Sequence, residues 1–127
     1  MDFAAQDATL SRFFAAISTG DRATVESTYH PDCVIWHNND NATQTVAENL
    51  RTLSWVMGNI KGLRYDEVRR APMGTGQVVQ QHVLRGSGPN GKPLEVPACI
   101  IFTFSEDGRI LRLEEYLDSA QVAVLLS

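Results

Sequence analysis

The feature that most constrains the fold is a run of strand-like segments that fills the second half of the chain. Strands are predicted over residues 63–70, 77–85, 94–104 and 109–117, with turn residues between them. The last three segments are rich in apolar and β-branched residues, whereas residues 63–70 are polar and are expected to form an edge strand. The tracts 86–91 and 105–108 contain glycine and are typical of the turns that join antiparallel neighbours. The pattern therefore predicts a four-stranded meander, one face of which must be covered by helices.

The first half of the chain supplies three predicted helices. The first has apolar residues at helical spacing, namely Leu10, Phe13, Phe14 and Ile17, and Gly20 ends it. Asp21 is suited to cap a short second helix, which Pro31 ends. A short strand over residues 33–37 and an asparagine-rich loop over residues 38–41 follow.

A capping box at Thr45 and Glu48 opens the third helix, and Gly58 is expected to fray or end it. Residues 118–122 can start a short C-terminal helix. The prediction is a single α+β domain over residues 1–127, in which a mixed or antiparallel sheet packs on three helices.

Composition excludes several classes of function. Hydrophobic residues make up 43% of the 127 residues and charged residues 20%, which is ordinary for a soluble globular domain. The net charge is −4 and Arg69-Arg70 is the only basic pair, so a nucleic-acid partner is not expected. No apolar run is long enough to cross a membrane, and the first residues lack the features of a signal peptide, so we expect a cytoplasmic protein.

The residues that could bind a metal ion are few and are not suitably spaced. Cys33 and Cys99 are the only cysteines, and neither has a nearby partner, so both are expected to be free thiols. The three histidines and the scattered carboxylates have no metal-binding spacing. The sequence therefore predicts neither a metal nor another cofactor.

Three segments, residues 13–21, 29–38 and 108–118, together resemble the ketosteroid isomerase-like (SnoaL-like) superfamily, which has the nuclear transport factor 2-like fold. The resemblance implies a cone-shaped domain whose curved sheet and helices enclose a pocket for a small molecule. It also implies a homodimer formed through the sheet. Members of this superfamily include isomerases, dehydratases, polyketide cyclases, epoxide hydrolases and non-catalytic binders, so the site has to be argued from its residues.

The catalytic residues of ketosteroid isomerase are only partly matched. That enzyme uses an aspartate base, with a tyrosine and a protonated aspartic acid as hydrogen-bond donors. In this chain Phe13 stands at the tyrosine position and Ile100 at the protonated aspartate position, while the base position falls on His37 or Asn38. Steroid isomerisation by that route is therefore not expected, and Phe13 and Ile100 become predicted walls of the pocket.

The chain also resembles limonene-1,2-epoxide hydrolase. Trp36 and Asn38 match the pair that holds the water in that enzyme, and Glu115 matches the aspartate on the last strand. The arginine and second aspartate positions fall near His82 and Leu84, so the arginine is missing. Epoxide hydrolysis by a water held on Asn38 and Glu115 is kept as an alternative function.

Three residues are predicted to be catalytic: His37, His82 and Glu115. Histidine suits proton transfer near neutral pH, but strand alternation turns His37 outward if Trp36 points inward. His82 lies in an otherwise apolar strand, and Glu115 falls on the apolar face of the last strand. Because a buried carboxylate needs a partner, Glu115 is expected to pair with one of the two histidines, the alternative being a structural ion pair with an arginine such as Arg70.

The predicted function is a cofactor-independent proton transfer, in an isomerase, dehydratase or cyclase, on a small apolar cyclic molecule. The predicted substrate-binding residues are Phe13, Trp36, Asn38, Gln81, Ile100 and Tyr116. A non-catalytic binding or dimerisation module is the remaining alternative. Dimerisation agrees with the strand around Cys99 and Ile101, both faces of which are apolar enough to be covered.

Overall fold

In the part of the chain that the structure describes, six strands form one mixed sheet, and three helices pack on one of its faces. The structure, a computed structural model, describes residues 1–123, so the last four residues of the predicted domain lie outside the described residues. The helices are α1 (Phe3–Thr19), α2 (Arg22–Thr28), α3 (Val46–Asn59) and the short α4 (Ser119–Ala123). The strands are β1 (Tyr29–His37), β2 (Thr43–Gln44), β3 (Lys61–Pro72), β4 (Gln77–Ser87), β5 (Pro93–Phe104) and β6 (Ile110–Leu117).

The strand order in the sheet is β2-β1-β6-β5-β4-β3. Strands β3 to β6 form the predicted antiparallel meander. Strand β1 pairs parallel with β6, which makes the sheet mixed and brings the first third of the chain beside the last strand. The α+β prediction, including the short C-terminal helix, is confirmed.

The predicted ends of several elements are wrong by a few residues. Strand β1 begins at Tyr29 rather than at Cys33, and Pro31 lies inside it. Its pairing with β6 shifts register between Tyr29 and Val34, and such an irregularity tolerates a residue without an N–H group. Gly58 does not end α3, because the backbone N–H of Ile60 still donates to the carbonyl of Val56.

The predicted helix caps are present. Gly20 ends α1 in the left-handed conformation with φ of 77°, which glycine adopts without a steric penalty. The Asp21 side chain accepts from the backbone N–H of Thr24 at the start of α2. Thr45 and Glu48 form both hydrogen bonds of the capping box that begins α3.

The core lies between the helices and the inner face of the sheet. Its largest fully buried side chains are Phe13 on α1 and Phe102 on β5. Alternation along the strands sends every second side chain inward, so that Ile35 and His37 of β1 share a face with Leu113 and Glu115 of β6. Within residues 1–123, none of the helices has the length and apolar content needed to span a membrane.

Candidate active site

A cavity of about 180 Å³ lies between the helices and the inner face of the sheet. Its wall is mainly apolar: Phe13, Phe14, Ile17, Ile35, Leu53, Val56, Ile60, Leu84, Leu94, Val96, Ile100, Leu113 and Val122. Among the described residues, six polar ones interrupt this surface: Tyr29, His37, Asn49, Thr52, Tyr65 and Glu115. A concave apolar site with a few converging polar groups is the usual form of a small-molecule site.

His37 and Glu115 form an ion pair in the wall of this cavity. The Nε2 atom of His37 lies 3.0 Å from Oε1 of Glu115, and each side chain is only about a fifth exposed, at 23% and 20%. The two residues are directly opposite each other in the parallel pairing of β1 with β6. The register of the pairing between β1 and β6 therefore brings His37 and Glu115 together.

The environment of His37 favours its protonated form. The hydrogen bond to Glu115 raises the pKa of His37, burial opposes this, and the negative charges of Glu115 and Asp40 raise the pKa further. In the neutral ring, an N–H at Nε2 donates to the carboxylate and leaves the lone pair at Nδ1 as the basic site. This is the arrangement by which a carboxylate orients a histidine and stabilises the imidazolium.

The Glu115→Gln substitution is expected to lower the pKa of His37, because it removes both the hydrogen bond to a carboxylate and the negative charge. Titration of the three histidines by NMR measures this change. The matched control is Glu114→Gln, since Glu114 lies on the opposite face of β6 and pairs with Arg112 at 3.3 Å. An unchanged His37 titration in Glu115→Gln would contradict the pairing.

His82 is buried but does not pair with Glu115. Its ring packs between Phe14 and Tyr65, with centroid distances of 5.5 and 5.0 Å. The Nε2 amide group of Gln80 lies 2.8 Å from His82 Nδ1, and the Gln80 oxygen accepts from Arg70 at 2.6 Å. Because the Gln80 amide donates, His82 Nδ1 is the acceptor and the proton lies on Nε2. Burial lowers the pKa of His82, the charge of Glu115 opposes this, and the charge of Arg70 lowers the pKa further, so the neutral ring is favoured.

Four of the predicted substrate-binding residues lie outside the cavity wall, and strand alternation explains why. With His37 pointing inward, Trp36 points outward, where its ring contacts Tyr116 at a centroid distance of 5.2 Å. Gln81 is exposed and bonded to Arg69 on the outer face. The Asn38 side chain accepts from the backbone N–H of Leu117 at 2.9 Å.

The position of Asn38 also bears on the epoxide hydrolase alternative. Its side-chain oxygen is already engaged by the backbone of β6, and it does not line the cavity beside Glu115. The water-holding pair expected from the sequence is therefore not assembled here. Phe13 and Ile100, by contrast, do line the cavity, and whether they contact a ligand stays a prediction.

Sequence reasoning missed four polar residues of the wall, namely Tyr29, Asn49, Thr52 and Tyr65. Two hydrogen bonds satisfy Asn49: its oxygen accepts from Tyr29 at 2.8 Å and its amide donates to Gln44 at 3.1 Å. Tyr65 lies on β3, whose charged residues indicate a polar strand at the edge of the sheet. The only signal for it was alternation, which places Tyr65 on the same face as the buried Leu63.

Within the described residues, neither a metal-binding cluster nor a reactive Cys33 adds a second site. In the part of the chain that the structure describes, no three His, Cys, Asp or Glu residues are grouped closely enough to hold a metal ion. Cys33 is buried, and this raises the pKa of its thiol to about 12, so it is an unreactive thiol. The chemistry of the cavity therefore has to be argued from His37, Glu115 and Tyr65.

Comparison with known proteins agrees with the fold. The structure resembles a candidate isomerase from Bacillus subtilis, with a TM-score of 0.84, 16% identity, and 99% of this chain and 96% of that one covered. It resembles a candidate polyketide cyclase from Xanthomonas campestris (TM-score 0.81, 15% identity, 97% of each chain covered). It also resembles a protein with a ketosteroid isomerase-like fold from Catenulispora acidiphila in complex with trimethylamine (TM-score 0.78, 14% identity, 92% of this chain and 90% of that one covered).

A search of curated proteins finds no match to this sequence. The sequence profile of the SnoaL-like domain matches residues 10–113, which extends from the middle of α1 to the inner face of β6. This range includes most of the cavity wall and ends two residues before Glu115. The chain therefore belongs to the SnoaL-like domain family.

Proposed function

We propose that this protein is a cofactor-independent enzyme that moves a proton on a small, largely apolar cyclic molecule bound in the cavity. The observation that carries the proposal is the 3.0 Å contact between His37 and Glu115 in an otherwise apolar wall. A base oriented by a carboxylate and shielded from water is the arrangement that general acid–base catalysis uses.

His37 and Glu115 have distinct roles in this proposal. The Nδ1 atom of neutral His37 takes a proton from the substrate, and Glu115 stabilises the imidazolium that forms. The imidazolium then returns the proton to another atom of the substrate, which is isomerisation, or to a departing hydroxyl, which is dehydration. A cyclisation uses the same first step, with the carbanion attacking a second carbonyl within the molecule.

The size of the cavity limits the substrate. An engineered apolar cavity of about 150 Å³ binds benzene. The 180 Å³ found here therefore accommodates a molecule of about one ring, and its apolar wall favours a ring with few polar substituents. The structural similarity to a candidate isomerase and a candidate polyketide cyclase is compatible with isomerisation or cyclisation.

The proposal is tested by deuterium exchange into small ring ketones, because this reaction needs only a base in the cavity. Wild-type protein in deuterated buffer is incubated with 2-cyclohexenone, cyclohexanone and their methyl derivatives, and exchange is followed by NMR. We expect exchange above the buffer rate for at least one ketone. Binding of a ketone without exchange would favour the non-catalytic binding module, and no binding would overturn the proposed substrate class.

The homodimer and the cytoplasmic location stay predictions. The outer face of the sheet carries an open groove of about 750 Å³ that includes Val83, Pro97, Cys99 and Tyr116. This is the surface on which a second copy would pack. The same groove is a weaker candidate for a catalytic site, because its wall contains no pair comparable to His37 and Glu115 among the described residues.

A further inference from the structure

Tyr65 carries a hydroxyl group that no part of the described chain uses. It pairs with Leu84 across β3 and β4, and both side chains line the cavity. Among residues 1–123, Ser54 Oγ is the single side-chain polar atom that is sealed from solvent and lacks a hydrogen-bond partner. Tyr65 Oη also has no hydrogen bond within these residues, so it must border open space. Tyr29, the other tyrosine of the wall, donates its hydroxyl to Asn49.

Tyr65 is one of the residues that line the cavity. Tyr65 also borders a surface groove near Ser11 and Arg70, so the side chain has two hollows beside it. Leu84 lies directly opposite Tyr65 on β4, so the two side chains point to the same face of the sheet, and Leu84 lines the cavity and not the groove. This pairing favours the cavity side for Tyr65. Burial raises the pKa of Tyr65 and the charge of Glu115 raises it further. The group is therefore a neutral phenol that can donate a hydrogen bond at any physiological pH.

The ring of Tyr65 is held in position from two sides. Phe14 contacts it at a centroid distance of 4.6 Å and His82 at 5.0 Å. His82 is itself fixed by Gln80, and Gln80 by Arg70, whose guanidinium also binds Asp7 at 3.0 Å. These contacts connect α1 to β3 and β4 and leave the Tyr65 ring little freedom. A donor held in this way can stabilise charge on an oxygen without reorganising first.

We propose that Tyr65 Oη donates a hydrogen bond to a carbonyl oxygen of the bound molecule, so that the substrate class is a monocyclic ketone or enone. The inference rests on the proposed function for the role of His37, but the hydrogen bond itself does not depend on catalysis. When His37 takes a proton from the carbon next to the carbonyl, the electron pair moves to that oxygen. The resulting enolate oxygen then accepts from Tyr65, and return of the proton restores the ketone or its isomer.

The test uses 2-cyclohexenone labelled with ¹³C at the carbonyl, and cyclohexene as a matched hydrocarbon. The proteins compared are the wild type, Tyr65→Phe and Tyr116→Phe. The last removes the same hydroxyl from the outer face, where Tyr116 is 44% exposed. Dissociation constants come from NMR titration, and the carbonyl stretch of the bound ketone comes from difference infrared spectroscopy. Thermal unfolding checks that Tyr65→Phe, which keeps the ring contacts with Phe14 and His82, is folded.

In Tyr65→Phe we expect the ketone to bind about fivefold more weakly, since a neutral hydrogen bond contributes about 1 kcal/mol. Cyclohexene should bind equally to all three proteins. The carbonyl band of the bound ketone should move to higher frequency in Tyr65→Phe only. Equal weakening of ketone and hydrocarbon, an unmoved carbonyl band, or no ketone binding to the wild type would overturn the inference.

The infrared experiment tests the hydrogen bond from Tyr65, and the deuterium-exchange experiment tests the catalytic proposal, so one proposal can fail without the other. If the carbonyl band responds to Tyr65→Phe but the wild type exchanges no deuterium, the hydrogen bond stands and the catalytic proposal fails. If exchange occurs and the band does not respond, Tyr65 is not the donor and the catalytic proposal stands.

Discussion

His37→Gln is expected to reduce the protein-catalysed rate of deuterium exchange into a ring ketone by about 10²- to 10⁴-fold, the usual contribution of a positioned general base. Glutamine can keep a hydrogen bond to Glu115 but has no basic nitrogen. The effect should fall on the rate at saturating ketone rather than on the dissociation constant, because the substitution leaves the apolar wall intact. The measurement is the exchange rate by NMR over a range of ketone concentrations.

The matched control is His30→Gln. His30 lies near the start of β1 outside the cavity, where its Nδ1 accepts from the backbone N–H of Asp32 at 3.0 Å. This variant should exchange deuterium at the wild-type rate. A His37→Gln variant that is as active as His30→Gln would show that His37 is not the base.

The pH dependence of exchange has a definite sign. Because Glu115 raises the pKa of His37, the neutral base predominates only above that raised pKa. The exchange rate should therefore rise with pH through the pKa measured by titration. In Glu115→Gln the pKa of His37 falls, so the rise of the exchange rate should occur at lower pH. The maximum exchange rate at high pH should also be lower, because the imidazolium is no longer stabilised.

The direction of His37 shows what a single sequence cannot determine. Alternation along β1 requires Trp36 and His37 to point to opposite faces, but both are partly apolar rings and either could point inward. The parallel pairing of His37 with Glu115 across β1 and β6 decides the question. That pairing joins residues far apart in the chain, and periodicity within one segment carries no information about it.

Features that depend only on residues close together in the chain could be predicted from the sequence. The capping box at Thr45 and the turn at Gly20 involve hydrogen bonds within a few residues, and both were predicted correctly. The unusual polarity of Gln80 and His82 in an apolar strand was also visible in the sequence. Their partner Arg70 comes from the neighbouring strand β3, so the network that satisfies them appears only in the fold.

The second large effect concerns stability, and it is expected from Phe102→Ala. Phe102 is completely buried on β5 and makes edge contacts with Phe13 at 6.4 Å and Phe14 at 6.0 Å. Through these contacts, α1 packs against the middle of the sheet. Deleting a buried phenylalanine side chain typically lowers the free energy of unfolding by about 3–5 kcal/mol, because apolar contacts are lost and a void remains. Equilibrium unfolding in urea measures the change.

Ile101→Ala provides the comparison from the next position on the same strand. Ile101 points to the outer face and is only half-buried, so its truncation should lower the free energy of unfolding by less than half as much. A similar loss in the two variants would mean that the outer face is as well covered as the core, which a second copy packed on the sheet would explain.

Phe102 does not line the cavity, so a Phe102→Ala protein that is still folded should bind 2-cyclohexenone with nearly wild-type affinity. Loss of ketone binding by that folded variant would show instead that the position of α1 controls the shape of the site.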